Sequence, residues 1–223
     1  MKVRILRKRP TEERQYWEEF AYDGTRDISV AGMLDALNYH DDIVSAAGEA
    51  VPRIAWECSC LQGMCGACAM VVNGRPALAC ETFVRDLGDE VSIAPLSKFP
   101  VINDLVVDRG IVHESALAVN AYIKECKPAG PEEFEHQAAA AKCLKCGLCL
   151  EACPNYTDGH GFFGALFAND CYLIATRSRV FDAAIKPDYA LHFARGCSKS
   201  LACEEVCPMQ VPTLASMAKM NAR

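Results

Sequence analysis

The sequence predicts an α+β chain in two parts, a small mixed domain over residues 1–100 and an all-helical domain over residues 101–223. Three observations predict it. The first part carries short β-branched runs and one strong hairpin turn. The second is Ala-rich with helical periodicity, broken by Cys-Pro and Gly-rich turns. The cysteines, 14 in 223 residues, fall into spaced groups on both parts. A chain of this length can bury two ordinary cores.

The elements follow in order. Val3-Arg4-Ile5-Leu6 reads as a strand, and the basic residues of Met1–Arg9 as its solvated face. No apolar stretch follows that basic start, which continues Pro10-Thr11-Glu12-Glu13, so no secretory signal is expected. From Ser29 to Tyr39 the apolar residues Val30, Met33, Leu34 and Leu37 recur at helical spacing, with Ser29 as the cap. Ala69-Met70-Val71-Val72 is a strand leading into Asn73-Gly74, the turn pair that accepts positive φ at both positions. Ile111 to Cys126 contains no Gly or Pro and reads as helix. Pro128, Gly130 and Pro131 break it, and Pro131 can occupy the first turn of the next helix. No repeat with a solenoid period and no low-complexity tract is present.

Composition excludes several functions. Apolar residues make up 51%, normal for a folded chain. No run of about 18 apolar residues occurs, so no membrane span is expected. The net charge of −6 and the lack of a basic patch argue against a nucleic-acid partner. Abundant cysteine suits a disulfide framework only in short secreted chains. Clustered cysteines in a reducing compartment are metal ligands, and spacing decides which kind.

The first group is Cys60, Cys65, Cys68 and Cys80, C-x4-C-x2-C with a distant fourth cysteine. This is the plant-type 2Fe–2S spacing. Gly63, Gly66 and Ala67 are small enough to let the loop wrap closely and bring amides to the sulfurs. A four-cysteine zinc site normally pairs two C-x2-C units, and the long C-x4-C loop disfavours it. Cys58 lies outside the motif and is read as a free buried thiol.

The second group is Cys143, Cys146, Cys149 and Cys153-Pro154, the C-x2-C-x2-C-x3-C-P run in which the fourth cysteine serves the other cluster. Its partner is Cys197, Cys203 and Cys207-Pro208, with Ser200 at the second position. The exchange assigns Cys143, Cys146, Cys149 and Cys207 to a 4Fe–4S cluster. Cys153, Cys197 and Cys203 remain, and three thiolates suit a 3Fe–4S cluster.

Other motifs are declined. Gly159-His160-Gly161-Phe162-Phe163-Gly164 fits a dinucleotide fingerprint but has neither the preceding strand nor the βαβ setting, so it reads as a turn leading into a helix. His40, His113, His136, His160 and His192 form no ligand pair near the clusters, which rules out a Rieske centre. Cys126 and Cys171 are read as buried helical thiols. No Walker, G-x-S-x-G or H-E-x-x-H motif appears, so no catalytic residue for substrate chemistry is expected on this chain.

The chain resembles the iron–sulfur subunit of succinate dehydrogenases and fumarate reductases over nearly its whole length. The carrying motifs are Cys60-Leu-Gln-Gly-Met-Cys65-Gly-Ala-Cys68, Asn73 to Cys80, and the linker-like stretch Pro95 to Asp108. Phe163-Gly164 and Arg177-Ser178-Arg179 fall where the family has its helical insert. The resemblance implies an N-terminal β-grasp, 2Fe–2S ferredoxin-like domain and a C-terminal dicluster-ferredoxin domain. It implies three clusters in line, 2Fe–2S near a FAD-containing flavoprotein subunit, 4Fe–4S in the middle and 3Fe–4S near quinone. A membrane anchor with quinone, with or without haem, is the second implied partner. The location implied is peripheral, on the cytoplasmic face of the cell inner membrane.

Two rival readings stay open. One is a freestanding multi-cluster carrier, which a fused three-cluster wire suits poorly. The other is part of a soluble, thiol-dependent fumarate reductase, a type that usually carries a further cysteine-rich module. The sequence also departs from the ubiquinone-using members. The tryptophan pair after the first Cys-Pro is replaced by Thr157 and Asp158, the residue after Cys197 is Ser198 rather than basic, and Lys219 is the nearest candidate for the quinone-side lysine.

Overall fold

The computed structural model describes residues 1–39, 43–118, 125–126, 128, 130–177 and 185–222. His40, Ser178, Arg179 and residues 119–124 of the expected 111–126 helix lie outside the described residues. The chain forms two compact units, Met1–Asp108 and Arg109–Arg223.

The first unit is built on a five-stranded mixed sheet. Its strands are β1 (Lys2–Arg7), β2 (Tyr16–Ala21), β5 (Ala69–Val72), β6 (Arg75–Leu78) and β7 (Glu90–Ala94), in the order β2-β1-β7-β5-β6. Only the β1–β7 pairing is parallel. This is the β-grasp arrangement the resemblance implies. Alternation along β1 buries Val3, Ile5 and Arg7 and leaves Lys2 and Arg4 to pair with Glu19 and Glu90 on the solvated face. The helix α1 (Val30–Leu37) buries Val30, Met33 and Leu34. Its cap is the expected one, with the Ser29 hydroxyl accepting from the Gly32 amide at 3.2 Å. The β5–β6 turn has Asn73 at φ 48° and Gly74 at φ 76°, as a tight hairpin requires. Short ribbons β3–β4 (Ile43–Val44, Ala50–Val51) and β8–β9 (Val101–Asn103, Val106–Val107) complete the unit.

The second unit is built from helices joined by turns, with no β-strand among its described residues. Its segments are α2 (Gly110–Ala118), α3 (Pro131–Ala140), α4 (Leu148–Ala152), α5 (Gly164–Arg177), α6 (Lys186–Tyr189), a π-helical turn at Ala190–Ala194, α7 (Ala202–Glu205) and α8 (Thr213–Asn221). Pro131 opens α3, where its missing N–H is not needed. The core centres on α5, whose Phe167, Cys171, Tyr172 and Ala175 pack with Phe193, Tyr189, Met217 and Met220. Gly164 starts α5 at φ 76°, and a Cβ there would stand 2.3 Å from Leu150, so the helix begins pressed against α4. The G-x-G-x-x-G stretch is thus a turn leading into a helix. No described helix is long and apolar enough to cross a membrane.

Candidate iron–sulfur sites

The first site lies in the sheet unit. Cys60, Cys65 and Cys68 occupy the loop before β5, and Cys80 follows β6. The hairpin returns the chain: the Ala79 amide donates to the Cys68 carbonyl at 3.0 Å, and the Cys68 and Cys80 sulfurs lie 3.3 Å apart. Left-handed residues recur through the loop, Leu61 at φ 53°, Gly63 at 70° and Gly66 at 77°. Such alternation turns backbone amides toward one concavity. The amides of Gln62 and Met64 approach the Cys60 sulfur at 3.4 and 3.3 Å, and the Gly63 amide approaches Cys80 at 3.3 Å. The Gln62 amide, then Cys65 and the Met64 amide, draws the Cys60 thiol down to about 7. Burial, then Cys68, pushes Cys80 up to about 11. Amides aimed at sulfur are the donors a cluster's thiolates need, so these residues fit an iron–sulfur group.

The second unit brings the two remaining runs together. Cys143, Cys146, Cys149, Cys203 and Cys207 line one cavity, with Leu148, Leu166 and Val211 as apolar walls. Burial raises the Cys143, Cys146 and Cys149 thiols, Cys146 to about 11. After burial, the charges that raise Cys146 are those of Cys143 and Cys207. Cys203 is likewise raised to about 11 by burial, then by Cys153 and Cys197. Cys149 senses both groups, Cys203 included. Among the described residues no three His, Cys, Asp or Glu side chains converge as a single metal ion requires. A cluster interposes its own iron and sulfide atoms, so its cysteines stand further apart.

The two runs share one backbone. Lys145 and Gly147 are left-handed at φ 56° and 88°, and their counterparts Lys199 and Leu201 are left-handed at 59° and 62°. The Glu151 amide donates to Gly147 at 3.0 Å, as Glu205 does to Leu201 at 3.2 Å. The Cys153 and Cys207 amides donate to Leu150 and Glu204 at 3.2 and 3.3 Å. Ser200, the counterpart of buried Cys146, is exposed.

The remaining cysteines correct two expectations. Cys58 and Cys126 are exposed, not buried. Cys58 sits on the cluster-loop surface. Cys126 lies beyond the described part of its expected helix, where Arg177 donates to its sulfur at 3.4 Å. Cys171 is buried in α5 as expected. Spacing could not foresee three further residues. They are Arg7 and Asp104, paired beneath the loop that leads to Cys60, and Asn155, which links the two cysteine runs.

Residues 2–114 match the family described as 2Fe-2S iron-sulfur cluster binding domain. The succinate dehydrogenase iron-sulfur subunit of Bacillus subtilis is 30% identical, over 97% of this chain and 89% of its own. The fumarate reductase iron-sulfur subunit of Escherichia coli O6:H1 is 31% identical, over 97% and 90%. The chain belongs to the iron–sulfur subunit family of succinate dehydrogenases and fumarate reductases. A solved chain of the Mycobacterium smegmatis Sdh1 complex in the apo form superposes with a TM-score of 0.75 at 25% identity, covering 100% of this chain and 94% of that one. As a member of the family, the chain is an electron-transfer component of an oxidoreductase, with iron–sulfur clusters as its cofactors. Subunits of the succinate dehydrogenase and fumarate reductase family work within multi-subunit complexes.

Proposed function

We propose that this subunit conducts single electrons between a FAD-containing flavoprotein, which holds the fumarate or succinate site, and a quinone-binding membrane subunit. The observation that carries the reading is the sorting of the cysteines. Cys143, Cys146, Cys149 and Cys207 line one cavity together with Cys203, and Cys203 is the member of that cavity whose thiol Cys153 and Cys197 raise. We assign Cys60, Cys65, Cys68 and Cys80 to the 2Fe–2S cluster, Cys143, Cys146, Cys149 and Cys207 to the 4Fe–4S cluster, and Cys153, Cys197 and Cys203 to the 3Fe–4S cluster, on the exchange of the fourth cysteine between the two runs. When bound, these clusters accept and release one electron at a time. The chain's own residues supply burial and N–H donors. The Gln62, Gly63 and Met64 amides serve the first site, Val211 donates to Cys207 at 3.3 Å, and Lys199 donates to Cys197 at 3.4 Å. Such donors stabilise added negative charge and raise a cluster's potential.

The complex is placed peripherally on the cytoplasmic face of the inner membrane, through its anchor. With Thr157 and Asp158 in place of tryptophans and Ser198 in place of a basic residue, a menaquinone-type quinone is the proposed partner, and fumarate reduction a direction at least as favoured as succinate oxidation. The test is affinity purification of the chain from its native membrane. Recovery of a flavin-bearing subunit and fumarate reduction by a reduced menaquinone analogue support the reading. Isolation as a fully iron-loaded monomer would favour the freestanding carrier, and strong preference for ubiquinone would overturn the quinone assignment.

A further inference from the structure

The two cysteine runs share one backbone, but among the described residues only one end carries this side-chain clasp. Asn155 lies two residues after Cys153. Its Nδ2 donates to the Gly196 carbonyl at 2.7 Å, and its Oδ1 accepts the Ser198 hydroxyl at 2.7 Å. A carbonyl can only accept, so the Gly196 contact fixes which way the amide points. Gly196 and Ser198 flank Cys197 on either side. One side chain therefore holds both neighbours of Cys197 and ties them to the turn that carries Cys153.

Both ends of the clasp are anchored. The Tyr156 amide donates to the Cys153 carbonyl at 3.3 Å, and the Tyr156 ring is 2% exposed. On the other side the Gly196 and Cys197 amides both donate to the Phe193 carbonyl, at 3.0 and 3.1 Å. A Cβ on Gly196 would stand 2.6 Å from the Phe162 ring, which itself stacks on Phe193. The segment before Cys197 thus has little room to move. At the other end of the repeat the counterparts of Asn155, Gly196 and Ser198 are Met209, Lys142 and Leu144. Met209 cannot form the same pair of bonds.

On the proposed three-cluster reading, the clasped end is the one with three thiolates, where Ser200 stands in place of a fourth. A site with fewer covalent tethers leaves its cysteines freer to separate. We propose that Asn155 is a positioning residue for the three-cysteine cluster, setting the separation of Cys153 and Cys197 in place of the missing fourth ligand.

The test uses the intact complex and the EPR signal of its air-oxidised state. Asn155→Met copies the residue at the counterpart position and removes both bonds. The expected result is an altered lineshape and midpoint potential of the oxidised-state signal, with its loss in air about fivefold faster or more. The signals of the other two clusters stay as in the unsubstituted complex. Asn155→Asp keeps the acceptor for Ser198 but sets a carboxylate oxygen against the Gly196 carbonyl, so it opens the clasp at that end and gives a change of the same kind in lineshape and lifetime. It also serves as the test if Asn155→Met does not assemble. Unchanged lineshape, potential and lifetime would overturn the proposal, as would an equal loss of all three clusters' signals. Absence of the oxidised-state signal from the unsubstituted complex would instead overturn the three-iron reading, and the clasp with it.

Discussion

Arg7 and Asp104 form a bidentate ion pair with no exposure to solvent: Nε and Nη2 of the arginine donate to the two carboxylate oxygens at 3.1 and 2.8 Å. Their other valences are also filled. Arg7 reaches Glu18 at 2.5 Å and the carbonyls of Pro52 and Arg53 at 2.9 Å. Asp104 accepts the amides of Ala55 and Lys8 at 2.9 and 3.2 Å. The pair joins β1, the β8–β9 turn and the segment that runs into the loop bearing Cys60.

Asp104→Asn should therefore destabilise the first unit far more than an exposed ion pair would, because it leaves a buried guanidinium with half its charge partners. Removing one partner of a buried pair costs about 3–5 kcal/mol. Glu18 remains beside Arg7, so the low end of that range is expected. Denaturant unfolding of the iron-loaded chain, followed by the 2Fe–2S absorbance, measures it. The Lys2–Glu19 pair, with both side chains more than 40% exposed, should lose less than about 1 kcal/mol on Lys2→Ala.

Much of this architecture is legible in the sequence. The Ser29 cap, the Asn73-Gly74 turn and the Pro131 start are local signals, and each acts through its own backbone. Cysteine spacing is equally local, since a loop of fixed length must wrap a group of fixed size. Arg7 had a signal that charge obscured: period two along β1 places it on the inward face with Val3 and Ile5. Its partner Asp104, and the partners of Asn155, are distant in sequence, and nothing near them announces the pairing. Cys58 and Cys126 show the opposite failure, since a thiol's default burial says nothing about where a loop carries it.

Leu201 adopts the left-handed conformation that its counterpart Gly147 adopts without a Cβ penalty. Leu201 is 41% exposed, so the burial lost on trimming it offsets part of the backbone relief. Leu201→Gly should raise the stability of the second unit by up to about 1 kcal/mol, read as a higher thermal midpoint of the loaded chain. Gly147→Leu should do the reverse.

His136 packs edge-on against Tyr172 with centroids 4.5 Å apart, and its Nε2 lies 3.1 Å from the Ser216 hydroxyl. Burial, then the nearby Lys219, holds its pKa below the ordinary histidine value, with Glu133 opposing. The unfolded chain therefore binds the proton more readily than the folded one. Stability should fall as pH drops through the unfolded value of about 6.5, and level off below the folded pKa. His136→Gln should flatten that part of the profile, seen as a smaller drop in thermal midpoint between neutral and mildly acid buffer.

Ser200→Cys supplies the thiolate that the second run lacks. A hydroxyl is a poor iron ligand beside a thiolate, so the substitution should let a fourth iron bind, abolish the oxidised-state EPR signal and lower that cluster's potential. The rise in iron content per chain is the independent check.

An EPR redox titration of the intact complex tests the three-cluster wire most directly. The account predicts one signal that is present in the air-oxidised complex and disappears on reduction, from the cluster of Cys153, Cys197 and Cys203. It predicts two further signals that arise only on reduction, at lower potential. A fully iron-loaded complex that is silent when oxidised, or that develops a single reduced-state signal, would contradict it.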